Sequence, residues 1–322
     1  MSEALLAPPV DAAVAKVVRD GLCRAEKQLP PWLLYDDEGS RLFERITTLP
    51  SYYLTRAERA ILAREAGAIL DAVGADLAEV VELGAGTATK SQLLLEALVA
   101  RRGHARFVPV DVSAAPVELA IARLARELPG VTVAPLFQQH APALASLAVD
   151  PTRRAVLFLG SSIGNLDEAE AAALLAGVSA CLAGGALVLG TDLRKSPEVL
   201  VPAYDDPEGV SAAFNLNVLY RINRELGGRF EPAVFRHVAE WNEVGSRMDM
   251  YLESLREQVV PIAALGVTVR LRRGERIHTE SSRKYGIADV DVLLRAAGMV
   301  RTHTWTDHAG RFAVHVGRVS PE

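Results

Sequence analysis

The sequence predicts an α/β protein with a doubly wound parallel sheet and a smaller α+β lobe. From Ala78 onward, short β-branched runs alternate with helical segments, as in AEVVEL, KSQLLLEALVARR and FVPVDV. Because parallel neighbours need crossover connections, this alternation favours a parallel sheet covered by helices. Residues 195–283 break the rhythm, since a helical part is followed by alternating runs that are typical of antiparallel strands. That segment is predicted to be an insertion late in the sheet domain.

The two ends of the chain complete the predicted order. The first 60 residues carry a helical pattern, Pro30-Pro31 and a short amphipathic piece, which favour helices over strands. After residue 283, a helix (DVDVLLRAAGM) precedes two strands (VRTHTWTD and FAVHVGRV) joined through His308-Ala-Gly310. A closing antiparallel hairpin suits the edge of a mostly parallel sheet. The predicted divisions are therefore 1–60, 61–194, 195–283 and 284–322.

Composition narrows the classes of partner. The chain has 322 residues, half of them apolar, and a formal net charge of -5 with no basic run. This charge pattern provides no basic surface for nucleic acid or an anionic membrane, so a small-molecule partner is expected. No apolar stretch approaches the roughly 20 residues that span a bilayer, and the start lacks a signal-peptide pattern. A cytoplasmic protein is expected, as a monomer, with Cys23 and Cys181 as buried free thiols.

The loop after the first strand of the sheet is the first candidate binding site. Gly84 and Gly86 let the backbone approach a ligand closely at the carboxyl end of a strand. Thr89 stands where a dinucleotide fingerprint has its third glycine, which disfavours NAD. Asp111 ends the next strand, at the distance expected for a carboxylate that grips two ribose hydroxyls. The alternative is a simple tight turn, with Asp111 capping the helix near residue 114.

These residues resemble a known signature. Glu82-Leu-Gly-Ala-Gly86 and Asp111 are similar to the signature of class I S-adenosylmethionine-dependent methyltransferases, whose Rossmann-like sheet also ends in an antiparallel hairpin. S-adenosylmethionine carries no phosphate group, so its site does not need the complete phosphate-binding loop of a dinucleotide site. The incomplete dinucleotide pattern agrees with this.

A second loop fits two different functions. Gly160-x-Ser162-x-Gly164 matches the nucleophile elbow of serine hydrolases, and several histidines follow it in the chain. Against a hydrolase, no His-Gly-Gly oxyanion stretch is present, and the first loop carries a nucleotide signature that no hydrolase needs. Asn165 has two interpretations of similar weight: a ligand contact, or a capping box with Glu168.

The whole chain resembles one family, the S-adenosylmethionine-dependent histidine Nα-methyltransferases of ergothioneine biosynthesis. Eight stretches in the same order carry this resemblance, which makes it far more specific than a single glycine pattern. They are PPWLLYDDEGSRLFERITTLPSYYLTRAE (30–58), VELGAGTATK (81–90), VPVDVS (108–113), FLGSSIGN (158–165), LVLGTDLRK (187–195), AYDDPEGVSAAFNLNVL (203–219), RMDMYL (247–252) and HTESSRKY (278–285).

The resemblance implies a role for each division and a set of site residues. Residues 1–60 and 195–283 would form a substrate lobe, and 61–194 with 284–322 would bind S-adenosylmethionine. The implied cofactor contacts are Gly84, Lys90, Asp111 and the Gly160 backbone, to which the loop pattern adds Gly86. The implied histidine pocket consists of Tyr35, Tyr52, Asn165, Tyr204, Met250, Glu280 and Ser282. One departure is Gln139-His140, where relatives tend to carry Asp-Phe near the adenine; the Gln139 amide can still bond an adenine amino group.

The chemistry of histidine suits this set. Asn165, Tyr52 and Tyr204 offer neutral donors for the carboxylate, while Glu280 and Ser282 suit the two imidazole nitrogens. Met250 would be an apolar wall. Methyl transfer needs an unprotonated amine in line with the methyl group, so Tyr35 is the candidate to orient the departing proton, with Asn165 as second candidate catalytic residue. No metal is required, and the seven histidines show no ligand spacing.

Other interpretations of the same residues stay open at this stage. Tyr52 and Tyr204 could pack as ordinary aromatic side chains, and Glu280 and Ser282 could share a solvated strand face. The alternative functions are a relative acting on another amino acid or aromatic amine, a serine hydrolase using Ser162, and a noncatalytic protein that binds S-adenosylmethionine. The resemblance implies methylation of the L-histidine α-amine up to the trimethylated product hercynine, the first step of ergothioneine biosynthesis.

Overall fold

A computed structural model describes residues 11–74, 77–149 and 152–320, which contain both helices and strands in alternation. The α-helices are α1 (Ala12–Leu22), α2 (Asp37–Thr48), α3 (Tyr53–Val73), α4 (Ser91–Arg102), α5 (Ala114–Glu127), α6 (His140–Ala148), α7 (Glu168–Cys181), α8 (Pro197–Tyr204), α9 (Val210–Leu226) and α10 (Ile287–Ala296). The strands are β1 (Lys27–Gln28), β2 (Glu79–Leu83), β3 (Ala105–Asp111), β4 (Val131–Val133), β5 (Leu136–Phe137), β6 (Arg154–Phe158), β7 (Ala186–Asp192), β8 (Phe235–Asn242), β9 (Arg247–Ser254), β10 (Gln258–Ile262), β11 (Val267–Leu271), β12 (Arg276–Arg283), β13 (Met299–Thr306) and β14 (Phe312–Val319).

The chain divides into two compact units. The larger unit comprises Tyr52–Ser196, Glu243–Arg247 and the segment from Ser282 onward. The smaller unit comprises the chain up to Ser51, Pro197–Asn242 and Met248–Ser281.

The larger unit is built on one eight-stranded sheet. Its order is β13-β14-β7-β6-β2-β3-β4, and β5 pairs with β3. The pairs among β2, β3, β4, β5, β6 and β7 are parallel, whereas β14 pairs antiparallel with β7 and β13. The predicted doubly wound sheet with an antiparallel terminal hairpin is therefore confirmed.

The central strands are buried on both faces. Every residue of β2, β6 and β7 is buried, although successive side chains of a strand point to opposite faces. Continuous apolar runs such as Ala186–Leu189 are what a parallel sheet with helices on both faces requires. Burial of each large apolar side chain stabilises the fold by roughly 1.5–3 kcal/mol. The carboxyl ends of these strands are thereby fixed as a rigid edge.

The smaller unit is α+β, as predicted. It contains α1, α2, α8 and α9, a sheet of order β1-β12-β9-β8, and the antiparallel pair β10-β11. The helix α2 is well capped, because Asp36 accepts the backbone N–H of Gly39 at 2.8 Å. Asp36 also accepts from Asn217 at 2.6 Å and pairs with Arg224, so α2 is fixed to α9.

The predicted division at residue 60 is wrong. It falls inside α3, a continuous helix of 21 residues that begins at Tyr53 and belongs to the larger unit. Ile61, Leu62 and Ile69 are completely buried, so the middle of this helix packs in the apolar core. A boundary between two units therefore cannot lie there. The other observed divisions lie at Ser196/Pro197 and Ser281/Ser282, and residues 243–247 also belong to the larger unit. Which unit binds which substrate stays a prediction.

Two smaller expectations have different outcomes. Cys181 is buried, but Cys23 is exposed because it follows the last residue of α1, so the prediction of a buried thiol is wrong there. In the part of the chain that the structure describes, no helix is both long enough and apolar enough to cross a bilayer.

Candidate active site

The loop after β2 is a glycine turn. Gly84 and Gly86 have φ angles of 69° and 50°, a left-handed conformation that favours glycine. A Cβ added at Gly86 would meet no atom within 4 Å, so the backbone conformation, and not lack of space for a Cβ, favours glycine there. The Gly84 N–H donates to the Val110 carbonyl at 2.8 Å. This bond joins the loop to the end of β3.

Asp111 fixes the same loop through its side chain. Its Oδ2 accepts the Gly86 N–H and its Oδ1 accepts the Ser113 N–H, both at 2.9 Å. Ser113 is itself the N-cap residue of α5, so Asp111 does not cap this helix and the capping alternative is wrong. A carboxylate has about four acceptor positions, so two remain for the hydroxyls of a ribose.

Glu82 lies beneath the loop as a buried carboxyl. It is 2% exposed, and the Ser91 hydroxyl donates to its Oε2 at 2.6 Å. Burial raises the pKa of Glu82 to about 8, so the neutral acid dominates at pH 7. Since Ser91 is the first residue of α4, this bond fixes where the helix begins.

Glu58 connects two of the predicted cofactor residues, and the sequence analysis missed it. Lys90 Nζ lies 2.8 Å from Glu58 Oε2, and both carboxylate oxygens accept the Gly160 N–H at 2.9 Å. The Glu58 side chain is completely buried. A signal was available, because Glu58 stands four residues after Leu54 and four before Leu62 on the apolar face of α3. A carboxylate at such a position needs a buried partner.

The loop after β6 does not form a nucleophile elbow. Gly160 and Ser161 carry left-handed φ angles of 77° and 60°. The Ser162 hydroxyl donates to the Leu159 carbonyl at 3.1 Å, and no histidine of the described ranges hydrogen-bonds to it. The Ser-His pair that a hydrolase needs is therefore not formed. Ser161 has a structural role instead, because its Oγ accepts the Asp192 N–H at 2.8 Å.

Asn165 does not cap the following helix. The capping box of α7 is made by Asp167, whose side chain accepts the Glu170 N–H at 2.8 Å, and by Glu170, which accepts the Asp167 N–H at 2.9 Å. The predicted box with Glu168 is wrong by two residues. Asn165 ends a short 3₁₀ helix, Ser162–Asn165, where its side chain is partly buried.

Gln139 and His140 occupy different surroundings. Gln139 is exposed and is the N-cap residue of α6 without a side-chain capping bond. The His140 ring packs edge-on against Phe158, and a Cβ on Gly84 would lie 3.7 Å from its Nε2. Burial lowers the pKa of His140, so its ring is neutral at pH 7. His140, and not the predicted contact Gln139, is thus the one of the pair that adjoins the glycine loop.

Ser282 and Tyr52 are the remaining predicted site residues of the larger unit, and both are buried. The Ser282 Oγ accepts a hydrogen bond from Lys284 at 2.8 Å. Tyr52 is the N-cap residue of α3, and its carbonyl accepts from Arg56 at 3.1 Å.

The smaller unit holds Tyr35, Tyr204, Met250 and Glu280. Tyr204 and Met250 are brought together, because the partly buried Tyr204 packs against an apolar cluster formed by Met250, Leu200 and Met248. Tyr35 packs edge-on against Phe43 and Phe214, at ring centroid distances of 5.5 and 5.3 Å. Glu280 is partly buried on β12.

Comparison with known proteins agrees with this arrangement. A family model described as "Histidine-specific methyltransferase, SAM-dependent" matches residues 14–319. The chain is 42% identical to a histidine N-alpha-methyltransferase of Mycolicibacterium smegmatis over 314 residues, 96% of each chain. It is also 42% identical to the protein of the same name in Mycobacterium tuberculosis over 306 residues, 94% of each chain. Ergothioneine biosynthesis protein 1 of Neurospora crassa is 29% identical over 296 residues, 90% of this chain and 33% of that protein.

The family model covers nearly the whole chain, and the two mycobacterial relatives match 96% and 94% of this chain. The glycine loop, Asp111 and the sheet order are the structural counterparts of that match. The chain belongs to the family of histidine-specific, S-adenosylmethionine-dependent methyltransferases and is a methyltransferase that uses S-adenosylmethionine as its methyl donor.

Proposed function

We propose that this protein transfers methyl groups from S-adenosylmethionine to the α-amine of L-histidine, up to the trimethylated product hercynine, as the first step of ergothioneine biosynthesis. The observation that carries the proposal is 42% identity over 96% of the chain to a histidine N-alpha-methyltransferase. Membership of a histidine-specific family supports the same substrate.

The residues around the glycine loop fit the proposed methyl donor. Asp111 has acceptor capacity for two hydroxyls, and the left-handed backbone of Gly84 and Gly86 allows close approach. The neutral His140 ring lies beside the glycine loop and suits contact with the adenine of the donor, an uncharged planar base. We propose Gly84, Gly86, Lys90, Asp111, Gln139 and Gly160 as the donor-binding residues. The donor supplies an electrophilic methyl group on a sulfonium.

Recognition of histidine requires three different kinds of contact. We propose that Asn165, Tyr52 and Tyr204 donate hydrogen bonds to the carboxylate, and that Glu280 and Ser282 contact the imidazole. Met250 would be an apolar wall beside the ring; the packing of Tyr204 against the cluster that contains Met250 supports a shared role. A charge-assisted bond is worth roughly 1.5–3 kcal/mol, enough for Glu280 to discriminate against apolar amino acids.

The amine must lose a proton before it attacks the methyl group. The α-amine of a free amino acid is a stronger base than a peptide N-terminus, whose pKa is roughly 8, so most of it is protonated at neutral pH. We propose that Tyr35 orients this proton or a water that accepts it, and that Asn165, through its bond to the neighbouring carboxylate, helps to hold the amino end of the substrate. Positioning of the amine in line with the methyl group then supplies most of the rate acceleration.

Mass spectrometry after incubation with L-histidine and S-adenosylmethionine tests the proposal. The expected result is successive addition of up to three methyl groups to histidine, with none when the methyl donor is omitted. A panel of other amino acids and aromatic amines provides the competing substrates. Methylation of one of these, with none on histidine, would leave a methyltransferase and overturn the substrate.

Assembly and location are separate proposals. We propose a monomer that acts in the cytoplasm on a small molecule, and light scattering with cell fractionation would test both points.

A further inference from the structure

A buried ion pair in the larger unit contacts the predicted imidazole-binding residue Ser282. Asp192 and Lys284 are both 0% exposed, and Lys284 Nζ lies 2.9 Å from Asp192 Oδ2. The same ammonium donates to Ser282 Oγ at 2.8 Å. Ser282 is therefore joined to a charge at the end of β7 by way of Lys284.

Two further side chains contact the Asp192 carboxylate. The Tyr53 hydroxyl lies 2.9 and 2.8 Å from the two Asp192 carboxylate oxygens, and Lys195 Nζ lies 2.6 Å from Oδ1. The backbone of Asp192 is fixed too, because its carbonyl accepts the Tyr285 N–H at 2.9 Å. Moving Lys284 away would leave a buried charge with less compensation, which is costly. The ammonium is thus a fixed donor and not a mobile surface lysine.

The direction of the bond to Ser282 follows from chemistry. An ammonium has only donors, so the Ser282 oxygen must be the acceptor. The proton of the hydroxyl then cannot point toward Lys284 and is directed to another partner. A serine held in this way presents its hydroxyl as a donor.

We propose that Lys284 is a positioning residue that makes Ser282 a hydrogen-bond donor to the substrate imidazole. This inference rests on the proposed function, methylation of histidine. A ring nitrogen accepts a hydrogen bond only when it carries no proton. The pocket therefore selects histidine with a neutral ring, and kcat/KM, which already declines as the amine is protonated, falls more steeply as the free imidazole is protonated, near pH 6.5.

A set of four variants tests this inference: Ser282→Ala, Lys284→Met, the combination of both, and Lys195→Met as a matched control. Lys195 also pairs with Asp192 but makes no bond to Ser282. Each of the first two variants is expected to raise the KM for histidine about 5-fold, the loss expected for one hydrogen bond. The double variant is expected to equal either single one, because both remove the same contact.

The pH profile separates positioning from general structural support. In Ser282→Ala and Lys284→Met, the acid limb of kcat/KM that comes from ring protonation, at lower pH than the fall from amine protonation, should move to still lower pH, since the protonated ring no longer meets a donor. Affinity for S-adenosylmethionine in calorimetry should be unchanged, and Lys195→Met should keep the normal KM and acid limb. If Lys284→Met does not fold, Asp192→Asn with Lys284→Met removes both charges of the pair and should show the same profile.

Three results would overturn the inference: additive effects in the double variant, an unmoved acid limb, or equal effects from Lys195→Met. NMR of ring-labelled ¹⁵N histidine bound to the unmodified protein at pH 7 gives an independent check, and a protonated ring there would also overturn it. Failure of the unmodified protein to methylate histidine would instead refute the proposed function, so the two failures are distinguishable.

Discussion

The Lys90 ammonium lies 2.8 Å from Glu58 Oε2, and the same carboxylate accepts the backbone N–H of Gly160 at 2.9 Å. One side chain of α3 thus holds two loops that follow different strands, β2 and β6. Glu58 also fills the space beside Gly190, where an added Cβ would lie 2.0 Å from Glu58 Oε1. The relative position of the two loops therefore depends on a residue that belongs to neither.

Glu58→Gln is predicted to weaken S-adenosylmethionine binding. The amide keeps the size of the side chain and an oxygen that can accept the Gly160 N–H, but it loses the charge that compensates Lys90, so the loop that carries Lys90 is held less firmly. We expect about a 10-fold loss of affinity in calorimetry, as for one charge-assisted hydrogen bond. Glu65→Gln is the matched control, because Glu65 lies on the same helix in a partly exposed pair with Arg64. Equal affinity in the Glu58→Gln variant and the control would show that Glu58 does not organise the donor site.

Glu280→Ala is predicted to weaken histidine binding while S-adenosylmethionine binding survives. Glu280 lies on β12 of the smaller unit, whereas Gly84, Lys90 and Asp111 belong to the larger unit. Loss of one charge-assisted bond to the imidazole should raise the KM for histidine roughly 10-fold to 150-fold. Calorimetry with each ligand separately measures the two affinities.

The control for this substitution is Glu240→Ala. Glu240 is exposed in the same unit, where it pairs with Arg276 at 2.9 Å, so its loss should change neither affinity. Comparable loss of both ligands in Glu280→Ala would refute the separate roles of the two sets of residues.

The sequence predicts the sheet well because its central strands are encoded locally. Continuous apolar runs such as Ala186–Leu189 alternate with helical segments, and a parallel sheet covered by helices is the structure that buries such runs on both faces. The loop at Gly84 and Gly86 is predictable for a similar reason, since the left-handed backbone there demands glycine. By contrast, the division at residue 60 is wrong because periodicity cannot tell to which core an amphipathic helix belongs.

The sequence could not predict which polar side chains pair with residues far away in the chain. Glu58 lies 102 positions from Gly160, and Asp192 lies 92 positions from Lys284, so only the folded chain brings them together. In the sequence Glu58 stands beside Arg59, and Lys284 stands beside Arg283, so neither is marked locally as half of a distant pair. Short-range capping was misassigned for a different reason: Asn165 and Asp167 are both good N-cap residues, and the choice between them depends on where the preceding 3₁₀ helix ends.

His315 is predicted to destabilise the fold in acid. Its Nε2 and Nδ1 each lie 2.9 Å from a hydroxyl, of Thr191 and Thr304 respectively, and burial lowers its pKa to about 4. The unfolded chain takes up this proton near pH 6.5, but the folded protein does not until about pH 4. The contribution of His315 is therefore fully present above pH 6.5 and falls by about 3 kcal/mol by pH 4.

Chemical denaturation of His315→Gln between pH 7.5 and 4.5 measures this contribution. The variant should be less stable than the unmodified protein at pH 7.5, because it loses hydrogen bonds, but the gap should close as the pH falls. His104→Gln removes an exposed histidine and serves as the control. A constant gap across this range would contradict the assignment to His315.

Glu82 is predicted to have the opposite dependence on pH. Its folded pKa of about 8 exceeds the ordinary value of 4.5, because burial disfavours the charged form. Below pH 4.5 the carboxyl is neutral in both states, but between pH 4.5 and 8 only the unfolded chain is ionised, so stability declines by about 1.4 kcal/mol per pH unit. Glu82→Gln removes this decline and keeps an oxygen that can accept from Ser91. We expect the variant to be the more stable protein at pH 8 and to lose that advantage near pH 5, whereas Glu96→Gln on the exposed side of α4 should follow the unmodified protein throughout.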